Sequence, residues 1–311
     1  MIKKLLLKYF RYILPQLSRD ELALLQLELQ RAKHYRNPGK IWENGPWATW
    51  DTYLPPHRPC ESDIAIWRNA IATKEVTDGH FLILGATPEL RDLASEFGIV
   101  PLILDLSISM IWGMLFYTKR VDLDREIWVK GDWLTAPLPK QYFTHIWGDL
   151  VLHHIPLGLQ NGFLERISNL LTPRGTFITR FHIINKSLLA KSYEDIFNEY
   201  RDTNFLNKDR RGEAMNLLAS QLYDRSTSDD HMIDPERIAQ EIGGYIKYRR
   251  PNPSFRRFLE DFLKLHIRSI RKRWVSQTKE EVDRLLLRHF KIINQQAVNP
   301  HYPLYTLMSK Y

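Results

Sequence analysis

The sequence predicts an α/β fold built on a mostly parallel sheet. Short apolar runs alternate with amphipathic helical segments between Phe81 and Ile183, and this alternation is typical of a parallel sheet covered by helices on both faces. Two further apolar runs, joined by the short segment "NPHYP", close the chain. So short a connection predicts an antiparallel pair. We therefore expect a seven-stranded sheet whose last strand is antiparallel.

The composition is that of a globular protein with a basic surface. The chain has 311 residues, of which 44% are hydrophobic and 26% charged, which suits one elaborated domain or a domain with a large insertion. No apolar run approaches the ~20 residues of a membrane span. Cys60 is the only cysteine, which fits a reducing compartment and predicts a cytoplasmic protein. The net charge of +8 favours nucleic acid, an anionic membrane surface or an anionic substrate as a partner.

Residues 1–63 are predicted to form an N-terminal cap of helices and aromatic residues. The segment "MIKKLLLKYFRYIL" has apolar residues at helical spacing, but charges interrupt it too often for a signal peptide. Its helix could cover a ligand site, form a subunit contact as in a homodimer, or lie on a membrane. A loop rich in Trp and Pro follows, whose aromatic side chains either pack in the core or close over a flat ligand. Trp47 and Tyr53 are the candidates for substrate contact.

The elements of the sheet follow in order. Five apolar runs predict its first strands: "HFLILG", "VPLILDLS", "EIWVKGDW", "FTHIWGDLVLHHI" and "TFITRFHI". Helices are predicted between them over "TPELRDLASEFG", "ISMIWGMLFY" and "LGLQNGFLERISNLLTPRG". Residues 64–185 thus form the core, residues 186–275 an inserted helical layer on the substrate side, and residues 276–311 a helix with the two closing strands.

Small or acidic residues end the first four strands. They are Gly85, Asp105, Asp132 and Asp149, and ligands of an open parallel sheet bind outside these carboxyl ends. Asp105 follows Gly85 at the spacing of about 20 residues that separates a glycine loop from a ribose-binding acid. A helix N-cap is the alternative role for Asp105.

The loop after the first strand argues against a pyrophosphate. Thr87 is predicted as a helix N-cap and Pro88 as the first helical residue. Pro88 has no N–H to offer, and Glu89 would put negative charge where a phosphate would sit. These features predict a ligand with a ribose, an amino-acid tail and a positive sulfur, which is S-adenosylmethionine (SAM), rather than a nicotinamide cofactor.

The same segments resemble the class I SAM-dependent methyltransferases, whose sheet is Rossmann-like. The stretch "FLILGATPELRDLASEFGIVPLILDLSISMI" looks like the first two strands of that family. "GDWLTAPLP", "FTHIWGDLVLHHIP" and "LTPRGTFITRFHI" look like its later motifs, in the right order. The resemblance covers residues 64–185 and 278–311. It departs from the family pattern in one respect, because the first motif has Gly85 alone where two or three glycines are usual.

The resemblance implies roles at both ends of the cofactor. Gly85, Ala86 and Thr87 would face its methionine part and ribose. Asp149 and Leu150 would contact the methionyl end and shape the channel for methyl transfer.

The same resemblance implies contacts to the nucleoside. Asp105 would accept from the ribose hydroxyls, and Ser107 and Met110 would border the adenine. Asp132 would accept from the adenine amino group, with Trp133 beside the ring.

Histidines supply the candidate catalytic groups. His153 and His154 follow the fourth strand, where a general base could reach an acceptor, or they satisfy local hydrogen bonds in a turn. His182, after the fifth strand, is a candidate for substrate contact. A carboxylate acceptor would need no base. No metal site is predicted.

The favoured function is methyl transfer to a small molecule or natural product, at oxygen, nitrogen or a carboxylate. The alternatives are a methyltransferase for RNA or a peptide, and a non-catalytic SAM-binding module. Residues 247–273 hold ten Lys or Arg and could neutralise phosphates. Phe258 and Phe262 recur there at helical spacing, however, which favours a packed helix with a solvated basic face. A small-molecule or peptide-like acceptor is therefore favoured over nucleic acid.

Overall fold

The computed structural model describes residues 50, 57–71, 79–121, 125–203, 205, 208–228, 231–267 and 274–310. The predicted N-terminal helices, with Trp47 and Tyr53, lie outside these residues. Within them, no helix is both long enough and apolar enough to cross a membrane.

Among the described residues, seven strands form one sheet and two short strands form a separate ribbon. In chain order the strands are β1 (Phe81–Leu84), β2 (Pro101–Asp105), β3 (Ile127–Lys130), β4 (Phe143–Asp149), β5 (Leu171–Arg180), β6 (Met232–Ile233), β7 (Trp274–Val275), β8 (Phe290–Gln296) and β9 (Leu304–Ser309). The order in the large sheet is β3-β2-β1-β4-β5-β9-β8. Strands β1 to β5 pair in parallel, and β9 runs antiparallel to both β5 and β8. The predicted seven-stranded sheet with an antiparallel last strand is confirmed.

One described helix precedes β1, and the others lie in the segments between the strands. The helices are α1 (Glu61–Ile71), α2 (Pro88–Glu96), α3 (Ile108–Met114), α4 (Leu157–Leu170), α5 (Lys186–Leu189), α6 (Tyr193–Tyr200), α7 (Lys208–Ser226), α8 (Pro235–Arg249), α9 (Pro253–Phe262) and α10 (Lys279–Leu286). A 3₁₀ turn at Val151–His154 follows β4, and a π turn at Leu263–Ile267 follows α9.

Helices cover both faces of the sheet because successive side chains of a strand point to opposite faces. Leu84 packs in one buried cluster with Phe163 of α4 and Leu286 of α10. Its neighbour Ile83 belongs to a second cluster on the other face, with Ile111 of α3. All four residues of β1 are buried, as expected for a central parallel strand.

The inserted layer has its own apolar core. Phe197 of α6, Leu218 of α7, Ile242 of α8, and Phe258 and Phe262 of α9 are buried together. The spacing that predicted packing for Phe258 and Phe262 is thereby confirmed, since neither side chain is exposed.

Two features of this layer differ from the sequence prediction. Within the predicted helical layer of residues 186–275, α9 ends at Phe262, and Trp274 pairs in the antiparallel ribbon of β6 and β7. Helix α6 also starts afresh after α5, because Ser192 and Asp195 form a capping box that begins a new helix. A ribbon between distant segments leaves no local periodicity by which to predict it.

Candidate active site

A cavity of about 480 Å³ lies at the carboxyl edge of the sheet. Its wall includes residues that follow β1 to β4, together with residues of the inserted layer. Nine of the predicted cofactor residues line it: Gly85, Ala86, Thr87, Asp105, Met110, Asp132, Trp133, Asp149 and Leu150. The histidines His153, His154 and His182 line it as well.

Gly85 makes the turn from β1 into α2. Its φ of +84° is unfavourable for other residues, and its N–H donates to the carbonyl of Leu104 at 2.9 Å. A Cβ added to Gly85 would lie 3.6 Å from Trp133 Cζ2 and 4.0 Å from Asp105 Oδ2. Gly85 therefore leaves open a small space bounded by Trp133 and Asp105.

The start of α2 follows the sequence prediction. Thr87 is the N-cap and Pro88 the first helical residue, although the Thr87 hydroxyl makes no capping hydrogen bond. Burial raises the pKa of the Glu89 carboxyl, whose Oε1 accepts from Trp50 Nε1 at 3.4 Å and lies 3.8 Å from Arg58 Nε.

Asp105 is buried at the end of β2 with its carboxylate fixed by the backbone. Its Oδ1 accepts from the N–H of Ser107 at 2.8 Å, while Oδ2 faces Gly85. Ser107 caps α3 by accepting from the N–H of Met110 at 3.3 Å. Ser107 is not among the residues that line the cavity, so the structure gives it a local structural contact and leaves its adenine role a prediction.

Trp133 forms a fixed aromatic wall beside Gly85. Its indole Nε1 donates to the carbonyl of Leu104 at 2.8 Å, and its own carbonyl accepts from Arg166 Nε at 3.0 Å. The preceding Asp132 accepts from the N–H of Leu134 at 2.9 Å. These contacts hold both side chains without any ligand.

Asp149 is held by a buried arginine that the sequence reasoning missed. Arg180 contacts both carboxylate oxygens of Asp149, at 2.6 and 2.9 Å, and reaches Asp63 of α1 at 2.9 Å. Burial raises the pKa of Asp149, and Arg180 acts in the opposite direction. The signal was present in "TFITRFHI", because a charged residue inside a buried apolar run requires an ionic partner.

His153 is engaged through both ring nitrogens. Nδ1 donates to the carbonyl oxygen of Val275 at 2.6 Å, and Nε2 accepts from the N–H of His182 at 2.8 Å. Burial lowers the pKa of His153 to about 3. This arrangement leaves neither ring nitrogen available to take a proton from a substrate, which argues against the predicted role of His153 as a base.

His154 lies on the cavity wall beside Trp133. Leu150 adopts a left-handed conformation, with φ of +54°, directly before the 3₁₀ turn that carries both histidines. The ring centroids of His154 and Trp133 are 6.3 Å apart. Both histidines of this turn line the cavity, but the ring nitrogens of His153 are engaged by contacts within the protein.

Both ring nitrogens of His182 lie close to polar side chains, one in α7 of the inserted layer and one directly after β7. Its Nε2 lies 3.0 Å from Asp224 Oδ1, and its Nδ1 lies 2.7 Å from Ser276 Oγ. Asp224, which is not exposed, also accepts from the N–H of Asn185 at 3.0 Å. His182 therefore presents a fixed ring to the cavity.

Comparisons with known proteins agree with this architecture. No protein-family model matches the sequence, and no curated protein matches it. The solved structure of the CcbJ methyltransferase from Streptomyces caelestis is similar over 87% of this chain and 98% of that chain, with a TM-score of 0.51 at 12% identity.

Two further solved structures are less similar. One is the PH0226 protein from Pyrococcus horikoshii OT3, with a TM-score of 0.49 at 13% identity over 84% of this chain and 98% of that chain. The other is the 1,6-didemethyltoxoflavin-N1-methyltransferase from Burkholderia thailandensis, with a TM-score of 0.43 at 14% identity over 95% of this chain and 92% of that chain. The strand order and the likeness to CcbJ show that this chain has the fold of the class I SAM-dependent methyltransferases.

Proposed function

We propose that this protein is a SAM-dependent methyltransferase that acts on a small-molecule acceptor. One observation carries the proposal, namely that Gly85, Asp105, Trp133 and Asp149 lie together on the wall of one cavity at the carboxyl edge of the sheet. In this architecture that edge is where nucleotide ligands bind.

The residues of the cavity fit a nucleoside. The Asp105 carboxylate is suited to accept from both hydroxyls of a ribose. Trp133 and Met110 offer a flat, apolar surface to an adenine ring, and Asp132 would accept from its amino group. The open space beside Gly85 is needed for a ligand to approach the backbone, and a Cβ there would intrude on it.

The start of α2 fits an amino-acid tail better than a phosphate. Pro88 supplies no N–H, and the carboxyl of Glu89 stands in the first turn of the helix. A helix start that lacks one backbone N–H and carries an acidic side chain is a poor site for a phosphate. The fit therefore favours SAM over a dinucleotide.

When bound, the cofactor supplies a methyl group attached to a sulfonium leaving group. The residues of this chain would then act mainly by positioning the two reactants, which can supply much of the rate of a displacement. Where the acceptor carries a proton, the His154 ring is the candidate to take it. His153 would instead hold the turn in place.

The acceptor class rests on the size of the site. A cavity of about 480 Å³ is within the range of roughly 300–1,000 Å³ that small-molecule sites occupy. The similarity to the CcbJ methyltransferase supports the reaction class through the shared fold alone. A fold does not identify a substrate.

A labelled-methyl assay tests this function. The protein is incubated with methyl-tritiated SAM and, separately, with a metabolite fraction, total RNA and a peptide library. We expect label in the metabolite fraction, lost in Asp105→Ala and kept in Asp202→Ala, a control whose side chain is 83% exposed. Binding of SAM with no transfer would indicate a non-catalytic module, and transfer to RNA or peptide alone would contradict the acceptor class.

A further inference from the structure

Beyond the predicted cofactor residues, the cavity continues between aromatic side chains. Tyr223 of α7, Trp274 of β7, Tyr302 and His57 all line it. We refer to these four residues as the aromatic box. Two of its four members come from the inserted layer, which the sequence reasoning expected to lie on the substrate side.

The rings of the aromatic box contact one another in sequence. The ring centroids of Trp274 and Tyr223 are 5.4 Å apart, those of Tyr223 and His57 5.6 Å, and those of His57 and Tyr302 6.1 Å. The two contacts of His57 have interplanar angles of 71° and 83°. Such distances and tilted angles are typical of aromatic pairs. The four rings therefore form a continuous wall.

The aromatic box adjoins His182, whose ring is held in place by polar contacts. Tyr302 lies 5.0 Å from the ring of His182, which is fixed between Asp224 and Ser276. Burial raises the pKa of Tyr302, so its hydroxyl stays protonated and uncharged. A box with such supports is preorganised to hold a ring.

The charges of the described residues on the cavity wall disfavour an anionic occupant. Among the described residues that line it, none is Lys or Arg. Its carboxylates, Asp105, Asp132 and Asp149, all follow strands of the sheet. A carboxylate or phosphate in the aromatic box would therefore have no Lys or Arg among the described lining residues to pair with, which is unfavourable for a buried anion.

Two arginines of the basic segment that the structure describes pair with carboxylates away from the cavity. In the basic segment, Arg256 pairs with Glu260 at 2.9 Å and Arg249 with Glu194 at 2.6 Å, on side chains that are about half exposed. These charges belong to the surface of the inserted layer, so they raise the potential around the protein without neutralising an anion in the box.

The following inference about the acceptor rests on the proposed function. We infer that the methyl acceptor is an aromatic compound without a negative charge, whose ring is held in the aromatic box and whose hydroxyl or amino group faces His154. The acceptor's oxygen or nitrogen forms the bond to the methyl carbon, and the carbon–sulfur bond breaks with its electron pair left on sulfur. The proton of the acceptor passes to the ring of His154.

Three probes of similar size test the chemistry of the box. Naphthol is aromatic and uncharged, naphthoate is aromatic and anionic, and decahydronaphthol is uncharged and saturated. Each is titrated calorimetrically into protein saturated with S-adenosylhomocysteine. We expect naphthol to bind about tenfold more tightly than either of the others, the ratio that corresponds to about 1.4 kcal/mol.

Variants of Tyr223 test whether naphthol binds in the aromatic box. Tyr223→Phe keeps the ring and is expected to keep the affinity for naphthol, whereas Tyr223→Leu is expected to lose about tenfold. Tyr248→Leu is the matched control, because Tyr248 is 75% exposed and does not line the cavity. If thermal melting shows that Tyr223→Leu is unfolded, Trp274→Leu takes its place.

The outcomes separate this inference from the proposed function. Equal or tighter binding of naphthoate or decahydronaphthol, no binding of naphthol, or unchanged affinity in both leucine variants would overturn the aromatic acceptor. A preference for naphthol in a protein that binds neither SAM nor S-adenosylhomocysteine would uphold the box and overturn the proposed function.

Discussion

His153 Nδ1 donates to the carbonyl oxygen of Val275 at 2.6 Å. This hydrogen bond joins the turn after β4 to strand β7, so it ties the core of the sheet to the inserted layer. His153 and the neighbouring His154 both line the cavity, but both ring nitrogens of His153 are used in contacts within the protein. Two adjacent residues of the same type thus have separable roles.

Substitution should separate these roles. We expect His153→Ala to lower the free energy of unfolding by about 1–3 kcal/mol, since it leaves the Val275 carbonyl and the His182 N–H unsatisfied. His154→Ala should reduce methyl transfer about 10²–10⁴-fold if its ring is the base, with a smaller effect on unfolding. Urea denaturation and single-turnover transfer measure the two effects, and the opposite pattern would contradict the assignment.

Acid should destabilise the protein through its buried histidines. Burial lowers the pKa of His153 to about 3 and that of His145 to about 4, from an ordinary value of 6.5. The unfolded chain therefore binds more protons than the folded one in this window, so stability is complete above pH ~6.5 and falls as the pH drops towards the folded values.

The slope of this loss can be measured by urea denaturation across the same pH window. Replacing either histidine with leucine should flatten the slope by about 1.4 kcal/mol per pH unit, the value for one proton. An unchanged slope in both variants would mean that these histidines do not carry the effect.

Gly85→Ala should damage the cofactor loop. Its φ of +84° makes alanine unfavourable by about 1–2 kcal/mol, and the added methyl group would enter the space beside Trp133. We expect lower stability and weaker SAM binding. The control is Gly162→Ala, inside α4 with no atom within 4 Å of the new Cβ, which should stabilise by about 0.5–1 kcal/mol. Equal effects of the two substitutions on SAM affinity would contradict a special role for Gly85.

Arg180→Leu should be among the more destabilising single changes. It leaves Asp63 and Asp149 buried without their common cation, which is expected to lower the free energy of unfolding by about 3–5 kcal/mol. Arg256→Leu, which breaks the exposed pair with Glu260, should change it by less than about 1 kcal/mol. Thermal and urea unfolding compare the two variants, and similar losses would show that burial of the cluster is unimportant.

The sequence allowed the sheet and its ligand edge to be predicted because both depend on local patterns. Buried parallel strands are continuous apolar runs, so the positions of Gly85, Asp105 and Asp149 at strand ends follow from where each run stops. Contacts between distant segments leave no such pattern. The bond from His153 to Val275 and the pairing of Arg180 with Asp63 depend on packing between segments that lie far apart in the chain.

The aromatic box illustrates the same limit. Tyr223 and Trp274 lie in a layer whose local pattern indicated only helices, and they reach the cavity because α7 and the ribbon of β6 and β7 pack over the sheet edge. Tyr302 lies in the short segment "NPHYP" between the last two strands, from which only an antiparallel pair could be predicted. Sequence patterns identified the half of the cavity proposed for the cofactor, and the tertiary structure was needed for the other half.

Calorimetric titration of SAM into the wild-type protein, Asp105→Asn and Asp202→Asn tests the central proposal most directly. Asparagine keeps an oxygen that can accept from the N–H of Ser107 but removes the charge proposed to face the ribose. We expect SAM to bind the wild type and the Asp202 control equally, and Asp105→Asn about ten- to a hundredfold more weakly, because hydrogen bonds to charged groups contribute about 1.5–3 kcal/mol. NAD should not bind. Failure of the wild type to bind SAM, or equal affinity in Asp105→Asn, would contradict the account.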